Sequence, residues 1–344
     1  MKPILLGPNQ PARFYRGGGA IARFRGLSSN GDFVPEDWVG STTTIFGDAD
    51  HGLTVLPDGR RLRDAVAAEP EAFLGPAHTA RFGPDPALLV KLLDAGERLP
   101  VHAHPDGGFA HDWLGAPRGK SEAWLIIGVE GARPRIHLGF REDVDPAALA
   151  GWVARQDGPA MLAALNELSV APGDCIFVPA GTPHSIGEGV LMVEVQEPSD
   201  LGVLLEWERF GLDGPEDATM GLGFDVAARC VRLTAVGREE LASWTCRSDD
   251  APEARPGARA VVPAQAEGFF RAEWLRPDPV VALAPGYSIL VVVAGAGQLE
   301  TEGGALGLVK GNTVLLPHAA GAGELTGAIE GVRCLPPRAE EADS

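Results

Sequence analysis

The sequence predicts a mainly β protein built from about two domains. The chain has 344 residues, and 45% of them are hydrophobic, which is enough to bury sizeable cores. Its 45 glycines and 29 prolines are spread along the chain, as is typical of many turns between short strands. Apolar runs of strand length, such as 88–93 and 289–294, recur between these turns. A mainly β architecture accounts for all three observations.

Helical patterns interrupt this background in two places. The segment 62–74 is predicted to be helical, with an interruption at Pro70. A small helical insert is predicted at about 144–167, after which the strand pattern resumes. We place the domain boundary later, so that residues 1–212 form the first domain and residues 213–344 the second.

The overall charge excludes two classes of partner. The formal net charge is −18, whereas nucleic-acid-binding proteins and proteins that bind anionic membranes concentrate positive charge. The four cysteines form no CxxC pair, which favours free thiols in a reducing compartment. The first ten residues have no long apolar run that would indicate a signal peptide. We therefore expect a cytoplasmic protein with no nucleic-acid or membrane partner.

A candidate metal site stands out in the first domain. His102 and His104 are two residues apart in a predicted strand, so both imidazoles point to the same face. Glu122 lies on the next predicted strand, and His184 follows a later one. Three imidazoles and one carboxylate suit a divalent transition metal and leave a position open for water or substrate. An HxH pair alone is a weak signal, so the surrounding motifs matter.

A faint internal repeat accompanies this site. The segment 173–179 has a glycine, a strand-like stretch and a proline, and the segment 311–317 repeats that order. If the two units correspond, the second places Ala322 where the first has His184. We therefore expect the second domain to share the architecture of the first and to hold no metal.

Four segments carry a resemblance to a known family. In chain order they are 99–106 (LPVHAHPD), 119–124 (GKSEAW), 179–184 (PAGTPH) and 194–200 (EVQEPSD). Their order and spacing resemble the class I mannose-6-phosphate isomerases, zinc-dependent phosphomannose isomerases of the cupin superfamily. The resemblance covers most of residues 1–210. It implies two cupin-type jelly-roll β-barrels with a small helical insert, the second barrel lacking metal ligands.

The resemblance also implies a role for each matched residue. The metal ligands fall on four residues, namely His102, His104, Glu122 and His184. Lys91 and Lys120 match lysines of the substrate pocket, and Glu194 matches a glutamate that takes part in proton transfer. From the residues alone, Lys91 and Glu194 can also be ordinary strand residues.

Several positions depart from the family pattern. His102 replaces a glutamine ligand, and Pro100 replaces a serine that binds the substrate phosphate. Leu204 replaces an arginine thought to be catalytic, and Phe210 replaces a basic phosphate-binding residue. Arg209 lies close by but out of register, and we take it as a candidate substrate-binding residue. The metal site is thus kept, while the phosphate-binding residues are altered.

These expectations define a leading function and its alternatives. We expect a metal-dependent aldose–ketose isomerase that interconverts mannose 6-phosphate and fructose 6-phosphate or a related sugar. Zn²⁺ is the first choice of metal, with Mn²⁺, Fe²⁺ or Co²⁺ as alternatives. Another metal-dependent cupin enzyme, such as an oxygenase or epimerase, and a non-catalytic sugar-binding protein are the competing hypotheses. The expected partner is a sugar or sugar phosphate, and the expected state is a monomer or homodimer.

Overall fold

The computed structural model describes residues 1–339 and confirms that the protein is mainly β. The strands form antiparallel sheets of nine, six and five strands. The two smaller sheets lie in the N-terminal part and the largest in the C-terminal part. Within the described residues these sheets are open, so the predicted barrels take the form of packed sheet layers rather than closed rings.

Twenty strands and ten α-helices make up the described chain. The strands are β1 (Ile4–Leu6), β2 (Glu36–Val39), β3 (Leu89–Asp94), β4 (His102–Ala103), β5 (Glu122–Val129), β6 (Arg135–Phe140), β7 (Leu165–Ser169), β8 (Asp174–Val178), β9 (His184–Ile186), β10 (Val190–Gln196), β11 (Val203–Leu204), β12 (Thr245–Arg247), β13 (Glu253–Arg255), β14 (Ala258–Ala260), β15 (Arg271–Leu275), β16 (Val280–Leu283), β17 (Ser288–Thr301), β18 (Gly304–Val309), β19 (Thr313–Leu316) and β20 (Gly323–Leu335). The helices are α1 (Gly19–Arg25), α2 (Leu62–Ala68), α3 (Pro70–Leu74), α4 (Pro76–Phe82), α5 (Gly107–Leu114), α6 (Pro146–Ala154), α7 (Gly158–Ala164), α8 (Pro215–Ala218), α9 (Phe224–Ala227) and α10 (Arg238–Trp244).

Two facing sheets form the N-terminal part. The six-stranded sheet has the order β12-β8-β5-β10-β3-β2, and the five-stranded sheet has the order β11-β4-β9-β6-β7. Every residue of β3 and β10 is buried, which explains why both strands are almost continuously apolar. Ile126 of β5 and Ile136 of β6 belong to one hydrophobic core. The two sheets are therefore the layers of a sandwich, and polar side chains on their inner faces are enclosed between them.

The C-terminal part is organised around two long strands. β17 and β20 pair along most of their length at the centre of the nine-stranded sheet. Their register shifts between Val292 and Ala294, which is a β-bulge. Gly295 follows the bulge with a φ of 71°. A Cβ at this position would overlap the carbonyl oxygen of Ala328, so both conformation and space require glycine here.

Two strand pairings cross between the parts of the chain. β1, at the N-terminus, pairs with β19 of the C-terminal sheet, with Leu5 opposite Val314. β12 pairs with β8 of the six-stranded sheet, with Cys246 opposite Cys175. The division into 1–212 and 213–344 remains a prediction, and residues 340–344 lie outside the described part.

The predicted helical segments are confirmed. The segment 62–74 forms α2 and α3, with Pro70 starting α3 where a missing backbone N–H costs nothing. The insert forms α6 and α7, and the Asp145 side chain accepts a hydrogen bond from the backbone N–H of Ala147 at the start of α6. In residues 1–339 no helix has the length and apolar character needed to cross a membrane.

The bulge glycine yields a stability prediction. We expect Gly295→Ala to lower the free energy of unfolding by about 2 kcal/mol or more, because alanine is strained at this φ and its methyl group overlaps Ala328. Urea unfolding followed by circular dichroism measures the change.

Gly307→Ala in β18 is the matched control, since nothing lies within 4 Å of a Cβ built at that position. It should change the free energy of unfolding by less than about 0.5 kcal/mol. Equal stability of the two variants would contradict the need for glycine at the bulge.

Candidate metal centre and active site

Three histidines meet between the two N-terminal sheets. His102 on β4 and His184 on β9 lie directly opposite each other in the strand register. His104 comes two residues after His102, on the same face of the chain. All three are buried, and their ligand nitrogens lie within 4.8 Å of one another. The structure thus brings together the three histidines that the sequence singled out.

The imidazole rings are oriented by backbone carbonyl groups. Each Nδ1 lies 2.7 or 2.8 Å from a carbonyl oxygen, that of Pro100 for His102, Leu201 for His104 and Thr182 for His184. A carbonyl oxygen can only accept, so Nδ1 carries the proton and the lone pair is on Nε2. Burial lowers the pKa of all three rings, to about 4 for His104 and about 3 for His184. The neutral rings present the form of imidazole that binds metal ions.

Glu122 reaches the histidines from β5 in the facing sheet. Its Oε2 lies 3.3 Å from Nε2 of His104, and its Oε1 lies 3.4 Å from Nε2 of His184. The indole N–H of Trp124 donates a hydrogen bond to Oε1 at 3.0 Å. Burial by itself raises the pKa of Glu122, but the ammonium of Lys120 and the imidazole of His104 hold it well below its ordinary value. The carboxylate is therefore ionised and acts as an acceptor.

The donor set fits a metal ion. Nε2 of His184 is buried and has no hydrogen-bond partner among residues 1–339. Oε2 of Glu122 is also buried and makes no hydrogen bond there, although it forms an ion pair with Lys120. A buried acceptor without a partner costs roughly 1–3 kcal/mol, a cost that a bound cation would remove. Three imidazole nitrogens and one carboxylate are ligands that divalent transition metals prefer. These four residues could hold one such ion.

A helix separates the second histidine from Lys120. In this interval the chain forms α5, which was not predicted from the sequence. The Asp106 side chain accepts a hydrogen bond from the backbone N–H of Phe109, which caps the helix. The backbone N–H of Lys120 then donates to the carbonyl oxygen of Pro105 at 2.9 Å. This hydrogen bond joins the two ends of the segment 105–120, so Lys120 lies close to the histidines.

Lys120 contacts the donor set and a second carboxylate. Its Nζ lies 3.0 Å from Nε2 of His104, 2.9 Å from Oε2 of Glu122 and 3.6 Å from Oε1 of Glu194. Burial by itself lowers the pKa of Lys120, but the two carboxylates raise it above its ordinary value. Lys120 therefore carries a full positive charge next to the candidate metal ligands.

Glu194 is the carboxylate with an unusual protonation equilibrium. It lies on β10, opposite Lys91 on β3 and Trp124 on β5. Burial and the nearby charge of Glu122 raise the pKa of Glu194 to about 8, although Lys91 and Lys120 oppose the shift. A carboxyl group with such a pKa can take up and release a proton near neutral pH.

A second ionic cluster lies beside the first. Arg13 donates two hydrogen bonds to Asp200, from Nη1 at 3.1 Å and Nη2 at 3.3 Å, and its Nε lies 3.2 Å from Glu36. Lys91 lies 3.3 Å from Glu36 and 4.0 Å from Asp200. The phenol of Tyr15 donates to Glu36. The two cations hold the pKa of Glu36 well below its ordinary value against the effect of burial.

One cavity connects the histidine cluster with Arg13. Pro100 and Leu204 contribute apolar walls to it. Arg209 is not among its described lining residues; it is exposed, and its guanidinium lies 5.9 Å from the ring centre of Phe210. Sequence reasoning missed Arg13, which is the one arginine that the structure brings to the described wall of this cavity. The substrate-binding role of Arg209 stays a prediction.

Comparisons with known proteins point in one direction. No protein-family model matches the sequence. The chain is 25% identical over 268 residues to mannose-6-phosphate isomerase of Streptococcus mutans, which covers 78% of both chains. It is 32% identical over 128 residues to mannose-6-phosphate isomerase ManA of Bacillus subtilis, which covers 37% of this chain and 39% of the relative.

Solved structures agree over nearly the whole length. The mannose 6-phosphate isomerase from Bacillus subtilis superposes with a TM-score of 0.75 at 23% identity, covering 97% of this chain and 99% of the other. The apo form of the enzyme from Salmonella typhimurium gives a TM-score of 0.73 at 17% identity, covering 98% and 100%. The fold is therefore the same. The chain is similar in sequence to mannose-6-phosphate isomerases and shares the fold of solved members of that group.

Proposed function

We propose that the protein is a metal-dependent aldose–ketose isomerase that interconverts mannose 6-phosphate and fructose 6-phosphate or a related sugar. The observation that carries the proposal is the buried set of three imidazoles and one carboxylate directly beside Glu194. An aldose–ketose isomerase needs an electrophile at two adjacent sugar oxygens and a group that moves a proton between the neighbouring carbons. The cavity offers candidates for both within one enclosed space.

The proposed metal ligands are the residues predicted from the sequence, namely His102, His104, Glu122 and His184. Zn²⁺ is the first choice because a set of this kind binds it readily, and Mn²⁺, Fe²⁺ and Co²⁺ suit the same donors. A bound ion of this type acts as a Lewis acid on carbonyl and hydroxyl oxygens of a sugar. The carbonyl oxygens of Pro100, Leu201 and Thr182 hold the three rings in orientations that leave Nε2 available to the ion.

Glu194 is the proposed proton carrier. It would remove the proton from C2 of the aldose and return it to C1, with an enediol between the two steps, while the hydroxyl proton passes from O2 to O1. Its pKa of about 8 makes it a stronger base than an ordinary glutamate and lets it hold the proton between the steps. Lys120 keeps its charge 3.6 Å away and would stabilise negative charge that develops on a sugar oxygen.

The sugar would be oriented by the second ionic cluster. Arg13 and Lys91 line the cavity, and each is fixed by Glu36 and Asp200. Fixed donors and acceptors of this kind suit the hydroxyl groups of a sugar, because these side chains need not reorganise when the sugar binds. A phosphoryl group would have to compete with Asp200 for Arg13, so the test of function compares phosphorylated and free sugars.

Metal binding gives the first functional prediction. We expect His184→Ala to lose the bound ion, because two imidazoles and a carboxylate hold it far more weakly than three imidazoles and a carboxylate. Elemental analysis after Zn²⁺ loading and dialysis should find about one ion per wild-type chain and almost none in the variant. His111→Ala, which removes an exposed histidine, should retain the ion. Equal metal content in all three proteins would rule out this site.

Catalysis gives the second functional prediction. We expect metal-loaded protein to interconvert an aldose and its ketose, with mannose 6-phosphate, free mannose and fructose as test substrates. Glu194→Gln should lower kcat by about 10²- to 10⁴-fold, because the amide cannot carry the proton. Its metal content should be unchanged, which separates loss of the base from loss of the ion.

Full activity of Glu194→Gln would remove Glu194 from the mechanism while leaving the reaction class intact. Metal-loaded wild-type protein that turns over none of the sugars would contradict the proposed function itself.

The two arginines near the cavity give the third functional prediction. Arg13→Lys keeps the charge but loses the two-point contact with Asp200, so we expect KM for the sugar to rise by about tenfold with a smaller change in kcat. Arg209→Lys should change KM by less than about twofold, since Arg209 lies outside the described cavity wall. The reverse order would restore Arg209 as the substrate-binding arginine.

A further inference from the structure

A second cavity lies in the C-terminal part of the protein. It has a volume of about 530 Å³ and lies between the α3–α4 connection and the nine-stranded sheet. It shares no described lining residue with the cavity at the histidine cluster. Its polar lining includes one glutamate, two histidines and four arginines, namely Glu273, His78, His318, Arg255, Arg271, Arg333 and Arg338. This cavity has no part in the proposed isomerase reaction.

The sheet register places the charged residues together. Arg271 and Glu273 are two apart on β15 and share one face. Arg333 on β20 lies directly opposite Glu273. Arg255, at the end of β13, donates two hydrogen bonds to Glu273, at 2.5 Å from Nη1 and 2.8 Å from Nη2. The cluster is therefore a feature of strand pairing and not of mobile surface side chains.

The charges in this cluster do not balance. Glu273 is the one carboxylate among the described lining residues, against four arginines, and Arg255 already occupies both of its oxygens. Arg338 is paired with Glu267 at 3.5 Å. Nη1 of Arg333 is 4.0 Å from Glu273, and within residues 1–339 no carboxylate oxygen lies within 4.0 Å of Arg271. Two positive charges remain in a protein whose formal charge is −18. Glu273, and for Arg271 also Glu267, offset the cost of keeping these charges together only in part, since the pKa of both arginines stays below its ordinary value.

The two uncompensated arginines still have hydrogen-bond donors to offer. Arg333 donates from Nε to Ser288 and from Nη2 to the carbonyl of Ala284, which leaves Nη1 without a hydrogen bond in the described chain. Arg271 donates from Nε to the carbonyl of Pro336, and its Nη groups make no hydrogen bond there. Burial and neighbouring arginines lower the pKa of both, to about 10 for Arg333. Both groups are still charged near neutral pH.

We propose that this second cavity is a binding site for a phosphate monoester, with Arg271 and Arg333 as its anion-binding residues. Two free positive charges match the charge of a phosphoryl group, which is about −1.5 to −2 at neutral pH. The planar guanidinium groups present paired donors to its oxygens. A single carboxylate would neutralise only one of the two charges. The cavity volume leaves room for an organic group beyond the phosphate.

The test is calorimetric titration of inorganic phosphate into metal-loaded protein at constant ionic strength. Wild-type protein should bind phosphate, and Arg271→Gln should weaken that binding by at least about tenfold, because a charge-assisted contact is lost. Arg271 is partly exposed, so the variant should fold, and its unfolding temperature without phosphate checks this.

Arg276→Gln is the matched control. It follows β15 and removes the same charge, but Arg276 is paired with Asp249 and Glu330 outside this cavity. It should bind phosphate as the wild type does. Equal weakening in both variants would mean that only net charge matters, and unchanged binding in Arg271→Gln would place the phosphate elsewhere; either result overturns the proposal.

A third comparison defines the ligand class. The affinity for a hexose 6-phosphate should be lower in Arg271→Gln than in the wild type, whereas the affinity for the free hexose should be the same in both. Acetate that binds as tightly as phosphate, with the same dependence on Arg271, would replace the phosphoryl group by a carboxylate and overturn the assignment.

Discussion

The structure of the site depends on one constraint, which is that charges enclosed between two β-sheets must compensate one another. Glu122 and Glu194 point inward from neighbouring strands of the six-stranded sheet, and Lys120 lies within 3.6 Å of both. Two buried carboxylates so close together do not both ionise readily, and Lys120 is the charge that most favours ionised Glu122. With it, Glu122 is an anion beside the histidines, and Glu194 is left with a raised pKa. The two glutamates therefore differ in protonation: Glu122 is suited to bind a metal ion and Glu194 to carry a proton.

The same constraint governs the neighbouring cluster and links it to the first. Lys91 and Glu194 face each other across β3 and β10, and Lys91 also pairs with Glu36. A change in the charge of any member alters the electrostatic environment of the others, because the enclosed space has a low dielectric constant. The site therefore behaves as one electrostatic unit, and effects of combined substitutions should not add.

Local patterns in the sequence account for the parts of this unit that come from single strands. The alternation of a strand places His102 and His104 on one face, and the motif strings locate the rest of the predicted ligands and Glu194. Arg13 was not predictable, because it comes from the N-terminal segment and carries no motif. Arg13 is connected to the site through Glu36 of β2, which pairs with β3 and places Trp38 opposite Lys91. No local sequence pattern predicts such a long-range pairing. Likewise, α5 was not predicted, although the Asp106 side chain caps its first turn.

The pairing of β1 with β19 has a consequence for how the protein matures. β1 is synthesised long before its partner, Thr313–Leu316, leaves the ribosome. The segment that carries Arg13 is tethered at one end by this strand. The contact of this segment with β19 can therefore form only after Thr313–Leu316 has been synthesised, whatever the order in which the central strands fold. A shortened chain that ends before β19 would contain every residue of the cavity wall and still lack the anchor of its N-terminal border.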